Sequence, residues 1–390
     1  TLGCKLNFSE TSSLSRDSLK YGYENVNSKE FADIYVFNTC SVTENANKET
    51  RKLIRRSKRI NPNAFITLIG CYAQLKPEEL IDIKDVNLVL GTADKFDLLN
   101  HLDKIDTSGD IKSSIGGNIN DIKIFNPSFS NDDRTRSFLK VQDGCDYSCT
   151  FCTIPLARGR SRSSSINKTI NIAKDISRTN TKEIVLTGIN IGDFGKGTNE
   201  SFYDLIKQMD SQIDIERFRI SSIEPNLLND KIIEFCFQSK KFMPHFHIPL
   251  QSGSNKMLKS MKRRYTSQEY SDRLNKIKSL DQDACIGVDV IVGYPTESEE
   301  DFFETYNFLK NHDVSYLHVF TYSERENTKA IKLEPVVPYE ERARRSKILR
   351  ELSDQKRVNF YERSVGQIRP VLVEKSKNGI LFGYTDNYIK

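Results

Sequence analysis

The sequence predicts an α/β protein built from consecutive strand–helix units, and three observations carry this prediction. Short apolar runs rich in β-branched residues recur along most of the chain, helical stretches separate them, and polar residues or cysteines follow the runs where they end. This alternation is typical of parallel sheets with helical crossovers. With 390 residues, of which 37% are hydrophobic and 28% charged, the chain is long enough for two or three globular domains.

The first domain is predicted to span residues 1–106 and to be a parallel, Rossmann-like α/β sheet. Its strands are predicted by DIYVFNTCSV, AFITLIGCYA and NLVLGTAD, with a helix over 44–60 between the first two. TLGC resembles the end of a further strand, which we expect to begin before the first residue. Cys4, Cys40 and Cys71 then each follow a strand. We therefore expect three thiols at the carboxyl edge of one sheet, where open α/β folds bind ligands.

A linker and a second α/β domain follow. Residues 107–136 are rich in Ser, Asn, Asp and Gly, and they predict the linker. Residues 137–363 contain six predicted strands, namely SFLKVQDG, EIVLTGIN, RFRISSIEP, HFHIPLQ, ACIGVDVIVGYP and YLHVFTYS. Six consecutive βα units predict an open, partial (β/α)6 barrel of the TIM type, because a full barrel of eight units needs roughly 250 residues.

The last segment, residues 364–390, alternates apolar and polar residues around a Gly turn. This pattern predicts the start of a small β-domain, which we expect to continue beyond Lys390.

Composition limits the classes of protein to which the chain belongs. It has no run of about eighteen apolar residues, so the sequence does not predict a membrane protein. Eight unevenly spaced cysteines in a chain of this length favour metal binding or catalysis over a disulfide framework. We therefore expect a reducing, cytoplasmic location. The net charge of +5 is mild, but the Lys and Arg residues are clumped, which favours a nucleic-acid partner.

Three cysteines in DGCDYSCTFC, at positions 145, 149 and 152, define the first candidate site. Structural zinc usually takes four protein ligands, and no fourth Cys or His lies nearby in the sequence. A [4Fe-4S] cluster held by three thiolates instead keeps one iron open for a substrate or cofactor. The spacing therefore favours an iron–sulfur cluster over zinc. For Cys4, Cys40 and Cys71 the spacing alone leaves two alternatives, a second cluster or three buried structural cysteines.

The motif C-x3-C-x2-C, followed by six βα units, resembles the radical S-adenosylmethionine (SAM) superfamily. TLGCKLNFSET, FNTCSVTENA and IGCYAQ are similar to the first domain of the methylthiotransferases within it. RISSIEP, HIPLQSGSNKMLKSMKRRYT and DVIVGYPTESEEDF extend the resemblance along nearly the whole chain, and VGQIRPVLVE resembles the start of a TRAM β-barrel. The resemblance implies two [4Fe-4S] clusters, a radical cluster on Cys145, Cys149 and Cys152 and an auxiliary cluster on Cys4, Cys40 and Cys71.

The resemblance also implies a transferase that uses two SAM molecules. One methylates a sulfur on the auxiliary cluster, and the other gives a 5′-deoxyadenosyl radical that removes the hydrogen from C2 of an adenine, where the methylthio group is then attached. No residue is nominated as a general acid or base.

Three branches of the family modify isopentenyladenosine in tRNA, threonylcarbamoyladenosine next to the anticodon of tRNA, or an aspartate of a ribosomal protein. Lys5 after Cys4, followed by LNFSET, most resembles the threonylcarbamoyladenosine branch. The basic final segment favours RNA over the ribosomal protein. An iron–sulfur RNA-binding sensor without turnover is the non-enzymatic alternative.

The candidate SAM-binding residues lie in the cysteine motif, within one predicted strand, or in the turns and loops that follow the predicted strands. An aromatic ring between two cluster cysteines can pack on the adenine, a Gly lets the backbone approach the methionyl group, and a carboxylate or amide can bind the ribose or amino group. The structural alternatives are core packing, a plain turn or a helix cap. The candidates are Phe151, Thr187, Gly188, Asn190, Glu224, His247, Gln251 and Gly293.

Clustered cations define a candidate RNA surface. NKETRKLIRRSKRIN carries seven Lys and Arg residues against one Glu, a pattern that favours phosphate contact, although a solvated helix face is the alternative. The RNA-binding candidates are Arg51, Arg55, Arg56, Arg59, Arg158, Arg160, Arg263 and Arg264. The partners that the resemblance implies are tRNA, a sulfur source and an electron donor such as flavodoxin or ferredoxin.

Overall fold

The computed structural model describes residues 1–41, 44–104, 112–119, 122–131 and 135–390, with backbone only at 44–45. The chain divides into two compact units. The first unit comprises Thr1–Asp132, Phe138–Asp146 and Thr153–Arg162. The second unit comprises Asp133–Ser137, Tyr147–Cys152 and Ser163–Lys390. Parts of the predicted linker, 107–111, 120–121 and 132–134, lie outside the described residues.

A four-stranded parallel sheet forms the centre of the first unit. Its strands, in spatial order, are β1 (Ile34–Thr39), β2 (Phe65–Gly70), β3 (Leu88–Leu90) and β4 (Ser113–Ile115). The first three are the strands that the apolar runs predict, and the prediction of a parallel α/β sheet is confirmed. The fourth lies within the stretch predicted as a linker, because β4 is too short and polar to stand out in sequence.

Helices cover this sheet because its central strand is apolar on both faces. Ile66 and Leu68 pack in one apolar cluster, while Phe65 and Ile69 pack in another, as the two-residue period of a strand requires. The helices are α1 (Lys5–Lys20), α2 (Glu44–Ile60), α3 (Cys71–Leu75), α4 (Pro77–Ile81) and α5 (Leu98–Lys104).

The start of the chain runs beside β1. The amide of Leu2 donates a hydrogen bond to the carbonyl of Asn38 at 2.9 Å, but Thr1–Gly3 form no strand, because α1 begins at Lys5. The prediction that Cys4 ends a strand is therefore wrong, because Cys4 instead directly precedes a helix.

Short elements follow along the chain. Strand β5 (Ser128–Phe129) pairs antiparallel with β6 (Arg136–Lys140), and β7 (Gln142–Asp143) pairs with β8 (Arg162–Ser163). Helix α6 (Ile154–Arg158) follows, and Gly159 ends it at φ +75°.

The second unit repeats strands and helices as predicted. Its further strands are β9 (Glu183–Thr187), β10 (Arg217–Ile220), β11 (His245–Gln251), β12 (Cys285–Val292) and β13 (Tyr316–Thr321). Strands β9 and β10 pair in parallel, and β11, β12 and β13 form a parallel sheet in that order. Isolated bridges at Phe218–Phe242 and Ser222–His247 connect the two groups of strands.

Helices between these strands have clear sequence signals at their starts. Thr266 with Glu269, and Ser298 with Asp301, form reciprocal capping boxes. The helices are α7 (Ile166–Ser177), α8 (Phe202–Gln212), α9 (Asp230–Gln238), α10 (Asn255–Ser260), α11 (Ser267–Leu280), α12 (Glu299–Asn311) and α13 (Tyr339–Glu362).

A hairpin ends the chain. Strands β14 (Val371–Lys377) and β15 (Ile380–Thr385) are antiparallel, and Asn378 and Gly379 between them have φ of 52° and 75°. Positive φ at both positions matches a two-residue hairpin turn. Arg136 pairs with Glu374, which connects the hairpin to the rest of the second unit. Among the described residues, no helix is long and apolar enough to cross a membrane.

Candidate iron–sulfur centres

Three cysteines lie at the carboxyl edge of the first unit's sheet. Cys40 follows β1 and Cys71 follows β2, and the last residues of these strands are register partners. Cys4 directly precedes α1. A Cβ on Gly3 would lie 2.9 Å from the sulfur of Cys40, so the chain before Cys4 passes against Cys40. The Cys4 thiol in turn acts electrostatically on Cys71. The structure thus places the chain before Cys4 against Cys40, and joint binding of a cluster by the three cysteines stays a prediction.

Asn7 holds this arrangement in place. Its Nδ2 donates to the carbonyl of Leu2 at 2.9 Å and to the carbonyl of Thr39 at 3.1 Å. These carbonyls precede the segments that carry Cys4 and Cys40, so one buried amide positions two of the three cysteines.

Arg158 contacts the third cysteine. Its Nε donates a hydrogen bond to the sulfur of Cys71 at 3.3 Å. Its Nη1 donates to Glu10 and to Asp143, both at 3.0 Å, and its Nη2 donates to Asn7 at 2.5 Å. The side chain of Arg158 is 0% exposed, so the expectation that Arg158 contacts RNA is corrected: burial removes the guanidinium from any phosphate.

Arg158 belongs to what we call the buried charge network. In it, two carboxylates accept from four cations at 2.7 to 3.2 Å. The members are Glu10, Lys95, Lys140, Asp143, Arg158 and Arg162. Except for Arg162, which is 10% exposed, each side chain is at most 2% exposed.

The network is positively charged beside Cys71. Burial disfavours the Glu10 carboxylate, yet Arg158, Lys140 and Lys95 hold the pKa of Glu10 well below its ordinary value. Burial raises the pKa of the Cys71 thiol, and Arg158 opposes that rise. Four cations against two carboxylates leave an excess of positive charge, and a buried charge needs a partner. Three thiolates on a cluster are anionic donors, so the residues present fit a [4Fe-4S] cluster.

The cysteines of the C-x3-C-x2-C motif fall in both units. Cys145 belongs to the first, where its amide donates to the carbonyl of Gly159 at 3.0 Å. Cys149 and Cys152 belong to the second, where the amide of Cys152 donates to the carbonyl of Cys149 at 3.2 Å. All eight cysteines of the chain are described, and none forms a disulfide.

Arg263 contacts Cys149 in the second unit. Its Nη1 donates to the sulfur of Cys149 at 3.0 Å, its Nη2 pairs with Glu224, and its Nε donates to the hydroxyl of Tyr265 at 3.0 Å. Burial opposes the charge, but Tyr265, Glu224 and Cys149 hold the pKa of Arg263 well above its ordinary value. The side chain is 4% exposed, so the expectation that Arg263 contacts RNA is also corrected.

Tyr265 connects Arg263 to the end of β11. Its hydroxyl donates to the carbonyls of Pro249 at 2.8 Å and Leu250 at 2.9 Å. The next residue, Gln251, has φ +66°, an uncommon conformation for a residue other than Gly. Strained backbone of this kind is concentrated at functional sites. The cysteine contact of Arg263 thus reaches the strand end that carries a predicted SAM-binding residue.

Known proteins match this chain over its full length. Residues 1–91 match the family described as Uncharacterized protein family UPF0004, and residues 139–309 match the Radical SAM superfamily. The threonylcarbamoyladenosine tRNA methylthiotransferase MtaB of Bacillus subtilis is 41% identical over 100% of this chain and 88% of its own. The chain belongs to the radical SAM methylthiotransferase family.

Other members of this family and one solved structure are also similar. The tRNA-2-methylthio-N(6)-dimethylallyladenosine synthase of Clostridium beijerinckii is 32% identical over 99% of this chain and 87% of its own. The radical SAM methyltransferase TsrM of Kitasatospora setae superposes with a TM-score of 0.55 at 10% identity, over 82% of this chain and 69% of that chain. At that identity the likeness concerns the fold alone. Family membership implies a [4Fe-4S] cluster and SAM.

Several predicted SAM-binding residues of this methylthiotransferase lie near strand ends. Thr187 ends β9, and Gly188 and Asn190 follow it, with Asn190 donating to Asp193 at 3.1 Å. Phe151 contacts Tyr294 edge-on at 6.5 Å and packs against an apolar cluster.

Gly293 forms a tight turn. Its φ is +73°, and its amide donates to Glu297 at 2.7 Å. A Cβ at this position would overlap the side chain of Arg342. Protein atoms therefore occupy the space beside Gly293, and binding of a cofactor there stays a prediction.

His247 has two neighbours that the sequence did not reveal. Its Nε2 lies 2.7 Å from Asp289 Oδ1, and its ring stacks on that of His318 at 5.2 Å. The three residues project from adjacent strands, with donor atoms within 4.8 Å of one another. Asp289 and His318 are each the one charged or imidazole residue of their strands, but β11 also carries His245 on the same face as His247, so no sequence signal singled out these three residues.

The remaining RNA-binding candidates lie at or near the surface. Arg55, Arg59, Arg160 and Arg264 are exposed, and Arg56 is half-buried. Arg51 pairs with Glu79 at 2.7 Å, and Arg264 lies over the ring of Tyr147 at 3.9 Å. RNA contact by these residues stays a prediction.

Proposed function

We propose that this methylthiotransferase attaches a methylthio group to C2 of threonylcarbamoyladenosine, next to the anticodon of tRNA. One observation supports this choice of substrate. The chain is 41% identical to the relative named for threonylcarbamoyladenosine and 32% identical to the one named for dimethylallyladenosine. Attack at C2 replaces an aromatic hydrogen that has no useful acidity, so the reaction class suits a radical enzyme.

Two three-cysteine sites would each hold one cluster. Cys145, Cys149 and Cys152 would hold the radical cluster, and Cys4, Cys40 and Cys71 the auxiliary cluster. When bound, the radical cluster supplies the electron that cleaves SAM to the radical that acts on C2. Three ligands at each site leave one iron for SAM or for the sulfur to be transferred.

The chain's own residues would orient these groups. Arg263 would orient the side chain of Cys149 through its Nη1 and would place a positive charge beside that ligand. Glu224 is 15% exposed, so it can reach a ligand as well as Arg263. Gln251, Thr187 and Asn190 would contribute polar groups from neighbouring strand ends.

Architecture and partners follow from the same proposal. The parallel strands of the second unit would form an incomplete barrel, and the hairpin would begin a TRAM-like domain. The exposed cations of α2 would contact tRNA phosphates. A flavodoxin or ferredoxin would supply electrons, a sulfide source would supply sulfur, and the reaction would take place in the cytoplasm.

The test is mass spectrometry of nucleosides from tRNA after incubation with anaerobically reconstituted protein, SAM, dithionite and sulfide. Two tRNAs, carrying threonylcarbamoyladenosine or isopentenyladenosine, serve as parallel substrates. We expect the mass shift for replacement of one hydrogen by a methylthio group only on threonylcarbamoyladenosine. Addition to isopentenyladenosine alone would assign the other branch.

Cysteine variants separate the two clusters. Cys4→Ala and Cys149→Ala should each abolish methylthiolation, but only Cys149→Ala should abolish SAM cleavage. Cys236→Ala is the matched control, because Cys236 is 2% exposed on an apolar face of α9 and has no predicted ligand role. Activity retained by Cys4→Ala would exclude the auxiliary cluster.

A further inference from the structure

We propose that Arg158 is a positioning residue for the auxiliary cluster, and that it raises the reduction potential of that cluster. The inference rests on the proposed function, because it requires a cluster at Cys4, Cys40 and Cys71. It extends that function by assigning a redox role to a residue of the buried charge network.

The geometry fixes the guanidinium against Cys71. Nε donates to the sulfur at 3.3 Å, while Glu10 accepts from Nη1 at 3.0 Å and from Nη2 at 3.2 Å. Asn7 accepts from Nη2 at 2.5 Å, and the same Asn7 positions the chain at Cys4 and Cys40. Arg158 therefore cannot turn away from Cys71 without breaking several buried hydrogen bonds.

The charge favours the reduced state of a cluster. Reduction by one electron makes a cluster with three thiolate ligands more negative, and hydrogen bonds to sulfur and nearby positive charge stabilise that state. Burial strengthens the effect, because the local dielectric constant is lower than that of water. The four cations of the network outnumber its two carboxylates, so the network contributes a positive electrostatic potential at Cys71.

Arg162 provides the matched control. It pairs with Asp143 at 3.2 Å, as Arg158 does at 3.0 Å, but it donates its other hydrogen bonds to carbonyls of Ile124, Arg158 and Arg160. It thus shares the network with Arg158, and within the described part of the chain it donates no hydrogen bond to a cysteine sulfur. If weakening of the network alone lowered the reduction potential of the cluster, variants of both arginines should show the decrease.

The experiment measures the potential of the auxiliary cluster by EPR-monitored redox titration with dithionite. The full chain carries Cys145→Ala, Cys149→Ala and Cys152→Ala, so that only the auxiliary site assembles a cluster. Arg158→Gln should lower the ratio of reduced to oxidised cluster about tenfold at a fixed potential, equivalent to about 59 mV for one electron. Arg158→Lys, which retains the charge, should restore most of the ratio, and Arg162→Gln should change it much less.

A sign test with Glu10→Gln accompanies Arg158→Gln, and the sign of the change in Glu10→Gln alone tests the inference if Arg158→Gln does not fold. Glu10→Gln removes a negative charge but leaves Arg158 in place, so it should increase the reduced fraction. Opposite signs for the two substitutions cannot arise from a general loosening of the site. If iron binds but the ratios do not change, or change in the same direction, the redox role of Arg158 is overturned. If the parent protein binds no iron, the auxiliary cluster itself is overturned, and the inference with it.

Discussion

Each unit places an arginine N–H on a cysteine sulfur, but the two arginines are held differently. Arg158 in the first unit is 0% exposed and shares two carboxylates with three other cations. Arg263 in the second unit has one carboxylate partner, Glu224, which is 15% exposed, and one phenol partner, Tyr265. The comparison teaches that a fully buried network holds a cysteine ligand in one position. An arginine whose one carboxylate partner is near solvent can also bind a substrate.

The largest expected effect concerns the chain next to the first site. Gly3→Ala should abolish iron binding at the auxiliary site, because a Cβ there would lie 2.7 Å from the Cβ of Cys40. Gly22→Ala is the control: Gly22 also has positive φ, at +86°, but no atom lies within 4 Å of an added Cβ. Iron analysis should show half of the iron lost in Gly3→Ala and none in Gly22→Ala. If both variants retain the iron content of the parent protein, the close approach of Gly3 to Cys40 does not matter for the cluster.

The second prediction tests the closed network through its stability. Glu10→Gln removes a carboxylate that accepts from Lys95, Lys140 and Arg158, and should destabilise the first unit by about 3–5 kcal/mol. Hydrogen exchange of the β2 amides in increasing urea measures this free energy. Asp17→Asn breaks the exposed pair with Lys20 and should cost at most about 1 kcal/mol. Equal changes in the free energy of unfolding would mean that the buried ion pairs of Glu10 stabilise the protein no more than an exposed pair does.

The third prediction tests the open arrangement of the second unit. Arg263→Gln should reduce SAM cleavage about 10- to 100-fold, as is typical when a partner of a metal ligand is lost. Arg263→Lys should restore only part of the rate, because the single ammonium group of Lys cannot replace the two guanidinium nitrogens that contact Cys149 and Glu224. Chromatography of 5′-deoxyadenosine measures the rate without tRNA. Arg158→Gln should leave this rate nearly unchanged, and a similar loss in both variants would remove the distinction between the units.

Sequence reasoning predicted the strands but not these arginine contacts. Strands such as β2 are continuous apolar runs, so a short window contains the whole signal. The network joins residues far apart, with Glu10 and Arg158 separated by 148 positions, and no local pattern encodes that contact. Arg158 lies in the run RGRSRS, whose charge predicts phosphate contact equally well whether the side chain points outward or inward. Residue type identified the cysteines, because three thiols in a tight motif have few other uses.

The smallest effect is a pH dependence whose sign differs between two buried carboxyl groups, one in each unit. The pKa of Glu10 is held well below its ordinary value by Arg158, Lys140 and Lys95, although burial opposes this. Its stabilising contribution is therefore complete above the unfolded pKa of about 4.3 and is lost as pH falls towards the folded pKa. In the second unit, burial raises the pKa of Glu297, against the opposing effect of Arg345. Its charge therefore costs stability as pH rises from about 4.3 through the folded pKa.

Hydrogen exchange at several pH values measures both slopes in one protein. Each slope should be at most about 1.4 kcal/mol per pH unit for one proton. Glu10→Gln should reduce the loss of stability in acid of the first unit, to which Asp143 also contributes because, against the effect of burial, Lys140 and Arg158 lower its pKa. Glu297→Gln should remove one gain in acid from the second unit. If both substitutions change the slope in the same direction, the carboxylate of Glu10 is not held by its cations. The first site would then resemble the second, with a guanidinium whose carboxylate partner is open to exchange.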